Sequence, residues 1–525
     1  MTTKMYKYIF KFILIAFVTI TFTNCDNFLT FEEKGEPSMA VMWRTEADAY
    51  DAADGLYFWS TTEGIVGRGM MWYVNVSDDM VTGRSQSDAA NLKNFQYGRR
   101  DNERNWPVMY QLIKKANDII NNVPDMDISQ DVKNKVLGQA YFFRGWAYLW
   151  LAPYYGDNGE NGGLPIVTEE TPFDEMNQPR APKVSDNYKM IISDFEKAAS
   201  MLPLLKDWDK SQWGRPHKTA AWAHAAKAAL YNAQYDASYY QKVVDYTDLV
   251  IPHHDLLDNY ADVFKMENNF SPEYVYGWTG NEKDGSKLPG VMLENKGWGE
   301  YNGWGYFMPT KNLYDAFEPN DERRAVTILA PGDEFTFFGK DRLYYSTQSS
   351  SGMQFNKYMD PFRPVDAQGT TLNPSGNYMT TRLIIPLIRF SEVLLWKAEA
   401  LIWQNKNGDE PLNRVRTRAG LNPITGATKA DLKHERRVEL AAEFTNRHLD
   451  LVRWGDAKEA YSKPLYGYKT VGVTDEDDRT AILSKTDVVE VWPARNFNPS
   501  INHVFPIPPS VIDASQGVIK QNKGY

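Results

Sequence analysis

Apolar residues recur at helical spacing through most of this chain. The clearest run lies between Asp131 and Pro153, where Val132, Val136, Ala140, Phe143, Trp146, Ala147 and Trp150 share one face. The pattern predicts a helix of about six turns. It should end at Pro153, whose ring and missing N–H break the ladder. Ala140, Gly145 and Ala147 are small, while Phe142, Phe143, Trp146 and Trp150 are large, so a partner helix can approach closely. Such a pair cannot bury its apolar face alone and needs neighbouring pairs.

Further stripes supply those neighbours. Tyr50, Ala53 and Tyr57 mark a short helix, and Trp106, Tyr110, Ile113, Asn117 and Ile120 mark its partner. Tyr188 to Leu202, an Ala-rich stretch from Thr219 to Gln234, and Tyr239 to Val250 follow. The pattern returns at Phe390, Leu394, Ala398 and Leu401, runs through Leu412 to a C-cap at Gly420, and closes from Leu432 to Trp454. The reading is a mainly α chain whose helix pairs recur at tetratricopeptide-like spacings, over 46–60, 104–153, 185–252 and 386–455. Trp106, Trp146, Trp150, Trp222 and Trp396 lie on these stripes and read as core.

Periodicity is lost in three inserts, 61–103, 270–310 and 331–381. The third carries Phe335, Phe337, Phe338, Tyr344 and Tyr345 in a pattern of short strands. Long irregular segments in a compact domain are functional or disordered, and aromatic residues argue against disorder. Glycines and flat rings alternate here. Trp72, Tyr73, Trp278, Trp298, Tyr301 and Trp304 are the candidate ligand contacts, with Asp78, Arg84 and Gln86 as polar partners. A sugar ring offers an apolar C–H face to an indole or phenol and a hydroxyl rim to Asp, Gln and Arg. The competing reading is that the rings pack inward and the charges are merely solvated.

Lys4, Lys7 and Lys11 precede the apolar run Phe12 to Val18, an exported leader too short to span a membrane. Cys25, the single cysteine, follows it and is the expected lipidation site, with residues 1–24 as signal peptide and 25–45 as tether. Removing the three leader lysines and no acid takes the net charge from −10 to −13, which disfavours nucleic acid as a partner. No Walker-type loop, His-Glu-x-x-His or paired cysteines occur, so no cofactor or metal is expected, while among 68 acidic residues the sequence neither assigns nor rules out a carboxylate pair at glycosidase spacing. His253-His254-Asp255 lacks a clear third ligand, and Asp475 to Asp478 lacks the glycine and terminal Glu of a calcium loop. Glu443, Arg447 and Asp450 stand at helical spacing and read as structural ion pairs.

Six segments together resemble the RagB/SusD family of outer-membrane nutrient-binding lipoproteins. They are Cys25 to Leu29; Phe143-Arg144 to Gly156-Asp157 with Leu164-Pro165; Gly214-Arg215-Pro216; Ile385 to Leu395; Leu412 to Trp454; and Phe505-Pro-Ile-Pro508 to Tyr525. The resemblance implies four tetratricopeptide-like units with an irregular region packed on them, and no enzymatic activity. It implies a lipid anchor in the outer membrane, facing the cell surface. It also implies capture of oligosaccharides for a partner SusC-like TonB-dependent transporter. Peptide capture is the alternative within the family, and an all-α glycoside hydrolase or lyase the alternative outside it.

Overall fold

The computed structural model describes residues 42–525, apart from 63, 66, 84–86, 98–104, 281–287, 295–302, 347, 363–381 and 446. Cys25 and the leader therefore lie outside the described residues. Helix α1 (Glu46–Ser60) opens on a capping box, in which the Thr45 hydroxyl accepts the Asp48 N–H and the Asp48 carboxylate accepts the Thr45 N–H. It packs on α2 (Trp106–Asn122), and α2 packs on α3 (Gln130–Tyr155). The stack continues, each helix against the next, through α4 (Val184–Met201), α5 (Lys218–Ala233), α6 (Tyr239–Val250), α7 (Phe390–Trp403) and α8 (Asp409–Arg418). These eight make four tetratricopeptide-like pairs. Two further helices follow: α9 (Lys429–Glu439) packs on α7 and α8, and α10 (Arg447–Trp454) packs on the short helix Arg68–Val74.

Small residues set the spacing of the stack. A Cβ on Gly138 would lie 2.7 Å from Leu202 Cγ, and one on Gly145 would lie 3.2 Å from Phe195 Cζ. Both glycines therefore mark the line where α4 presses on α3. Helix α5 is buried nearly all round, its alanines 220, 221, 223, 225, 226, 228 and 229 being fully enclosed. Trp106, Trp146 and Trp396 are core as expected, whereas Trp150 and Trp222 are half-buried.

Helix α3 does not stop at Pro153 but runs to Tyr155. Proline's fixed φ suits a helix, and in the last turn its missing N–H loses only one ladder bond. The terminal carbonyls are capped from outside. Phe505 N–H donates to Tyr154 O at 2.6 Å, while Arg180 Nη2 and Asn522 Nδ2 donate to Tyr155 O. The closing segment is thus a strap across the end of α3.

The strands pair in twos among the described residues. β1 (Met80–Thr82) runs antiparallel to β3 (Phe307–Pro309), with Thr82 opposite Phe307. β2 (Tyr274–Trp278) runs antiparallel to β8 (Ile385–Arg389), with Trp278 opposite Ile385. β4 (Ile328–Leu329) pairs with β7 (Gln354–Phe355), β5 (Glu334–Phe337) with β6 (Lys340–Leu343), and β9 (Leu465–Thr470) with β10 (Thr486–Trp492).

A buried charge network joins the inserts to the stack. Arg389, at the start of α7, donates to Glu443 from Nε at 2.7 Å and from Nη2 at 2.8 Å, and to Glu439 from Nη1 at 2.9 Å. Arg418 bridges Glu273 and Glu439, Arg323 bridges Asp321, Glu435 and Glu439, and Lys357 donates to Glu443 at 2.8 Å. Burial alone would raise the Glu439 carboxyl, but the guanidiniums of Arg418, Arg389 and Arg323 hold it far below the ordinary carboxylate range. The helical pairing expected for Glu443, Arg447 and Asp450 is not what forms. The helix breaks between Glu439 and Arg447, with Ala442 at φ 63°, so the three residues face separate partners. Glu443 takes Arg389 and Lys357, Arg447 takes Asp78, and Asp450 takes Arg436 and Arg453.

Candidate functional site

The inserts meet at the β1–β3 ribbon. The turn before β1 is held by its own carbonyls. Lys93 Nζ donates to the carbonyls of Asn75, Ser77 and Met80 at 2.8–2.9 Å, and Arg495 donates to those of Val76, Ser77 and Lys93. Asp78 and Asp79 then fasten this turn to Arg447 and Arg437 of the terminal helices, each at 2.7 Å. Burial would raise the Asp78 carboxyl; Arg447 and Arg437 override it and hold it well below the ordinary range.

At the far end of the ribbon the backbones of two inserts touch. A Cβ on Gly83 would lie 2.0 Å from Gly305 O, so only glycine fits there, and the Gly83 N–H donates to Tyr306 O at 2.8 Å. Gly303 in turn sits on Glu294, where a Cβ would lie 2.1 Å from the carbonyl oxygen. Stretch 84–86 leaves from Gly83, and stretch 295–302 leaves from Glu294 and returns at Gly303. A third root is close by. Phe362, which precedes 363–381, shares a small apolar cluster with Leu293, Leu329, Phe337 and Tyr344. The Glu294 carboxylate in this corner is buried and accepts from the Tyr344 hydroxyl.

The expected contact residues divide into two groups. Trp72 and Tyr73 belong to a short helix, Arg68–Val74, and are buried, at 5% and 3% exposure. The Tyr73 ring packs 4.4 Å from Tyr154 and 5.5 Å from Phe505, under the strap. Trp278 closes β2 with its ring edge-on to Phe444 at 4.3 Å. Trp304 is fixed by its N–H on Gly290 O at 2.7 Å. Both are buried, and so is Asp78. These five residues are internal packing and anchoring groups, not open faces, which corrects the expectation for them. Beside Trp146, Trp150, His224 and Phe444 a recess of about 60 Å³ remains, the space of about two waters. Arg84, Gln86, Trp298 and Tyr301 lie outside the described residues.

His254 is engaged at both ring nitrogens, by Thr219 Oγ1 at 2.9 Å and Pro272 O at 3.0 Å, and burial lowers it to about 4. Asp475 to Asp478 are exposed. Sequence periodicity gave no sign of a groove of about 220 Å³ lined by Trp213, Phe270, His253, His254 and Lys206 among others. Its only hint in the chain is Trp213 beside Gly214-Arg215-Pro216.

The SusD family model matches residues 260–525, half of the chain. The chain belongs to the SusD family. A second model, described as starch-binding associating with outer membrane, matches residues 42–230. Among curated relatives, a SusD-like protein P2 of Formosa agariphila is 25% identical over 575 residues, covering 99% of this chain and 100% of that one. A SusD-like protein of Bacteroides ovatus is 24% identical over 73% of this chain and 72% of that one. Among solved structures, a SusD-like protein from Bacteroides fragilis superposes with TM-score 0.76 at 20% identity, over 92% of this chain and 98% of that chain. A laminarin-binding SusD-like protein does so with TM-score 0.71 at 23% identity, over 92% of this chain and 100% of that one. The SusD fold therefore extends across the described stack and its inserts.

Proposed function

We propose that this protein captures oligosaccharides at the cell surface and delivers them to a SusC-like TonB-dependent transporter. One observation carries the reading: stretches 84–86 and 295–302 are rooted on each other at Gly83 and Gly305. Arg84 and Gln86 follow Gly83 in the chain, and Trp298 and Tyr301 precede Gly303 and Gly305. The two stretches carry two hydrogen-bonding residues and two aromatic residues in their sequence, the residue types a pyranose requires. The names of SusD relatives that bind laminarin or surface glycans support the choice of ligand class.

The protein acts by binding, without catalysis. Two or three stacking contacts, after ordering costs, give affinities on the order of micromolar to millimolar, weak enough for release to a transporter. Cys25 carries the lipid that holds the chain to the outer membrane, beyond a cleaved leader of residues 1–24 and through a tether of residues 25–45. Several acyl chains, at about 0.8 kcal/mol per buried methylene, suffice for stable anchoring.

The test is migration of the detergent-solubilised protein in native gels cast with a panel of polysaccharides. Retardation by at least one glycan, lost in Trp298→Ala, is expected. Retention of peptides with no response to any glycan would replace this reading with peptide capture. Release of shortened products from a bound oligosaccharide would replace it with a hydrolase or lyase. For the anchor, Cys25→Ala should move the protein out of the membrane fraction.

A further inference from the structure

The groove beside Trp213 lies on the helical side of the molecule, between the α4–α5 connection and the turn that leads into β2. Trp213 and Phe270 line it together, packed edge to face with ring centroids 5.6 Å apart and planes at 70°. Both rings are half-buried. Each is pinned by its own loop. The Trp213 indole donates to Trp208 O at 3.2 Å, and the next residue, Gly214, abuts Thr279, whose Oγ1 would lie 3.0 Å from an added Cβ. Phe270 holds φ at 60°, a left-handed conformation that bulky residues avoid. Its turn is clamped by Asn269, which donates to Arg382 O at 2.6 Å and accepts the Ile384 N–H at 3.0 Å. A strained aromatic residue over-determined by its surroundings is a feature of ligand clamps.

The charge at the groove is one-sided. Its described lining includes Lys206 and His253, both exposed, and no Asp or Glu. Lys210 adds a further cation, its Nζ 5.7 Å from the Trp213 ring centroid. Three nearby acids are paired with other groups. Glu273 takes Arg389 and Arg418. Asp209 accepts from Ser211 N and Oγ at 2.8 and 2.6 Å, and Asp255 pairs with Arg414 at 2.9 Å. Asp207 is exposed and outside the lining. Two lysines thus stand at a groove whose described lining holds no acid, in a chain of net charge −10. The space of about 220 Å³ equals roughly seven waters at their liquid volume, which suits one ring rather than a folded chain.

We propose that this groove is a second sugar subsite, separate from the insert junction, which takes one pyranose ring bearing an anionic group. Trp213 and Phe270, packed edge to face on each other, offer one apolar wall to one face of the ring, and Lys206 with His253 meets its carboxylate or sulfate. The proposal rests on the glycan-capture reading for its ligand class but not on the residues assigned there.

Calorimetry on the full chain in detergent, at low and high salt, tests it with three probes. These are trigalacturonate for a carboxylate, a κ-carrageenan tetrasaccharide for a sulfate ester, and cellotetraose as the neutral control. At least one charged probe should bind more tightly than cellotetraose, with an affinity that falls as salt rises. Trp213→Ala should weaken it about tenfold. Lys206→Glu alters an exposed residue, and it should weaken the charged probe about threefold while leaving cellotetraose unchanged. Which charged probe responds distinguishes uronate from sulfate. Failure of both charged probes to bind, or binding indifferent to both substitutions, overturns the proposal. If polysaccharide retardation persists while these variants bind normally, only the second subsite falls. If retardation is absent but trigalacturonate responds to Trp213→Ala, only the insert-junction assignment falls.

Discussion

The helical stack and the insert junction solve the same packing problem in opposite ways. In the stack, glycine and alanine let helices touch: Gly138 and Gly145 receive α4, and α5 is wrapped in its own alanines. Where the inserts join the stack, a junction distinct from the Gly83–Gly305 contact, the side chains of Arg389, Arg418, Arg323 and Lys357 are buried with five carboxylates. Apolar contact is non-directional, and it suffices where a helix has one stripe to bury. An irregular insert has no stripe. Directional charge-assisted hydrogen bonds can fix its register, although a buried ion pair is weak evidence for added stability in itself.

Acid should separate the two regions most strongly. His217 and His224 in the stack, and His448 in α10, are lowered to about 3 by burial. The unfolded chain protonates these residues near 6.5 while the folded chain keeps them neutral. Their contribution is therefore complete above pH 6.5 and declines as pH falls toward 3, by roughly 1.4 kcal/mol per unit for each histidine. Glu439 and Glu443 have folded values below 4.5, so the contribution of the junction is present above pH 4.5 and lost as pH falls below it. Thermal melting as a function of pH should show a decline beginning near pH 6.5 that steepens below 4.5. Replacing His224 with Gln should flatten the first part only.

Arg389→Met strikes the junction alone. It leaves Glu439 and Glu443 buried beside fewer cations and should cost about 3–5 kcal/mol in denaturant unfolding. A cost under 1 kcal/mol would remove the argument that these pairs hold the inserts. Trp72→Ala should lose about 3–5 kcal/mol for the same measurement, as a core truncation does. Gly145→Val should cost about 1–3 kcal/mol through overpacking on Phe195, with ligand binding preserved. The smallest effect on stability, and the most specific, belongs to Trp298→Ala. It should leave the melting temperature unchanged and weaken glycan affinity by about tenfold.

The stack was legible because its signal is local. Phe143, Trp146 and Trp150 announce α3 within a few turns, and Gly145 announces its neighbour. The mainly α class and the four-pair arrangement followed from that and from the family resemblance. The candidate site was less so, since burial there is decided by distant partners. Trp72 and Tyr73 stand among glycines like loop residues, yet both are buried, Tyr73 under the strap at Phe505. Asp78 reads as a solvated rim charge until Arg447 closes on it. Trp278 is hidden by pairing with β8 and by Phe444, neither of which is near it in the chain. Trp213 and Phe270 come from different connections, and no spacing rule joins them.

The central claim is that the stretches rooted at Gly83 and Gly305 serve one ligand. A double-mutant cycle on glycan affinity tests it most directly, with Arg84→Ala, Trp298→Ala and the pair measured by calorimetry on the polysaccharide that retards the protein. The account predicts that each single change weakens binding and that the pair shows a coupling of about 0.5 kcal/mol or more. Two singles that leave affinity unchanged, or that add with no coupling, would contradict a shared site.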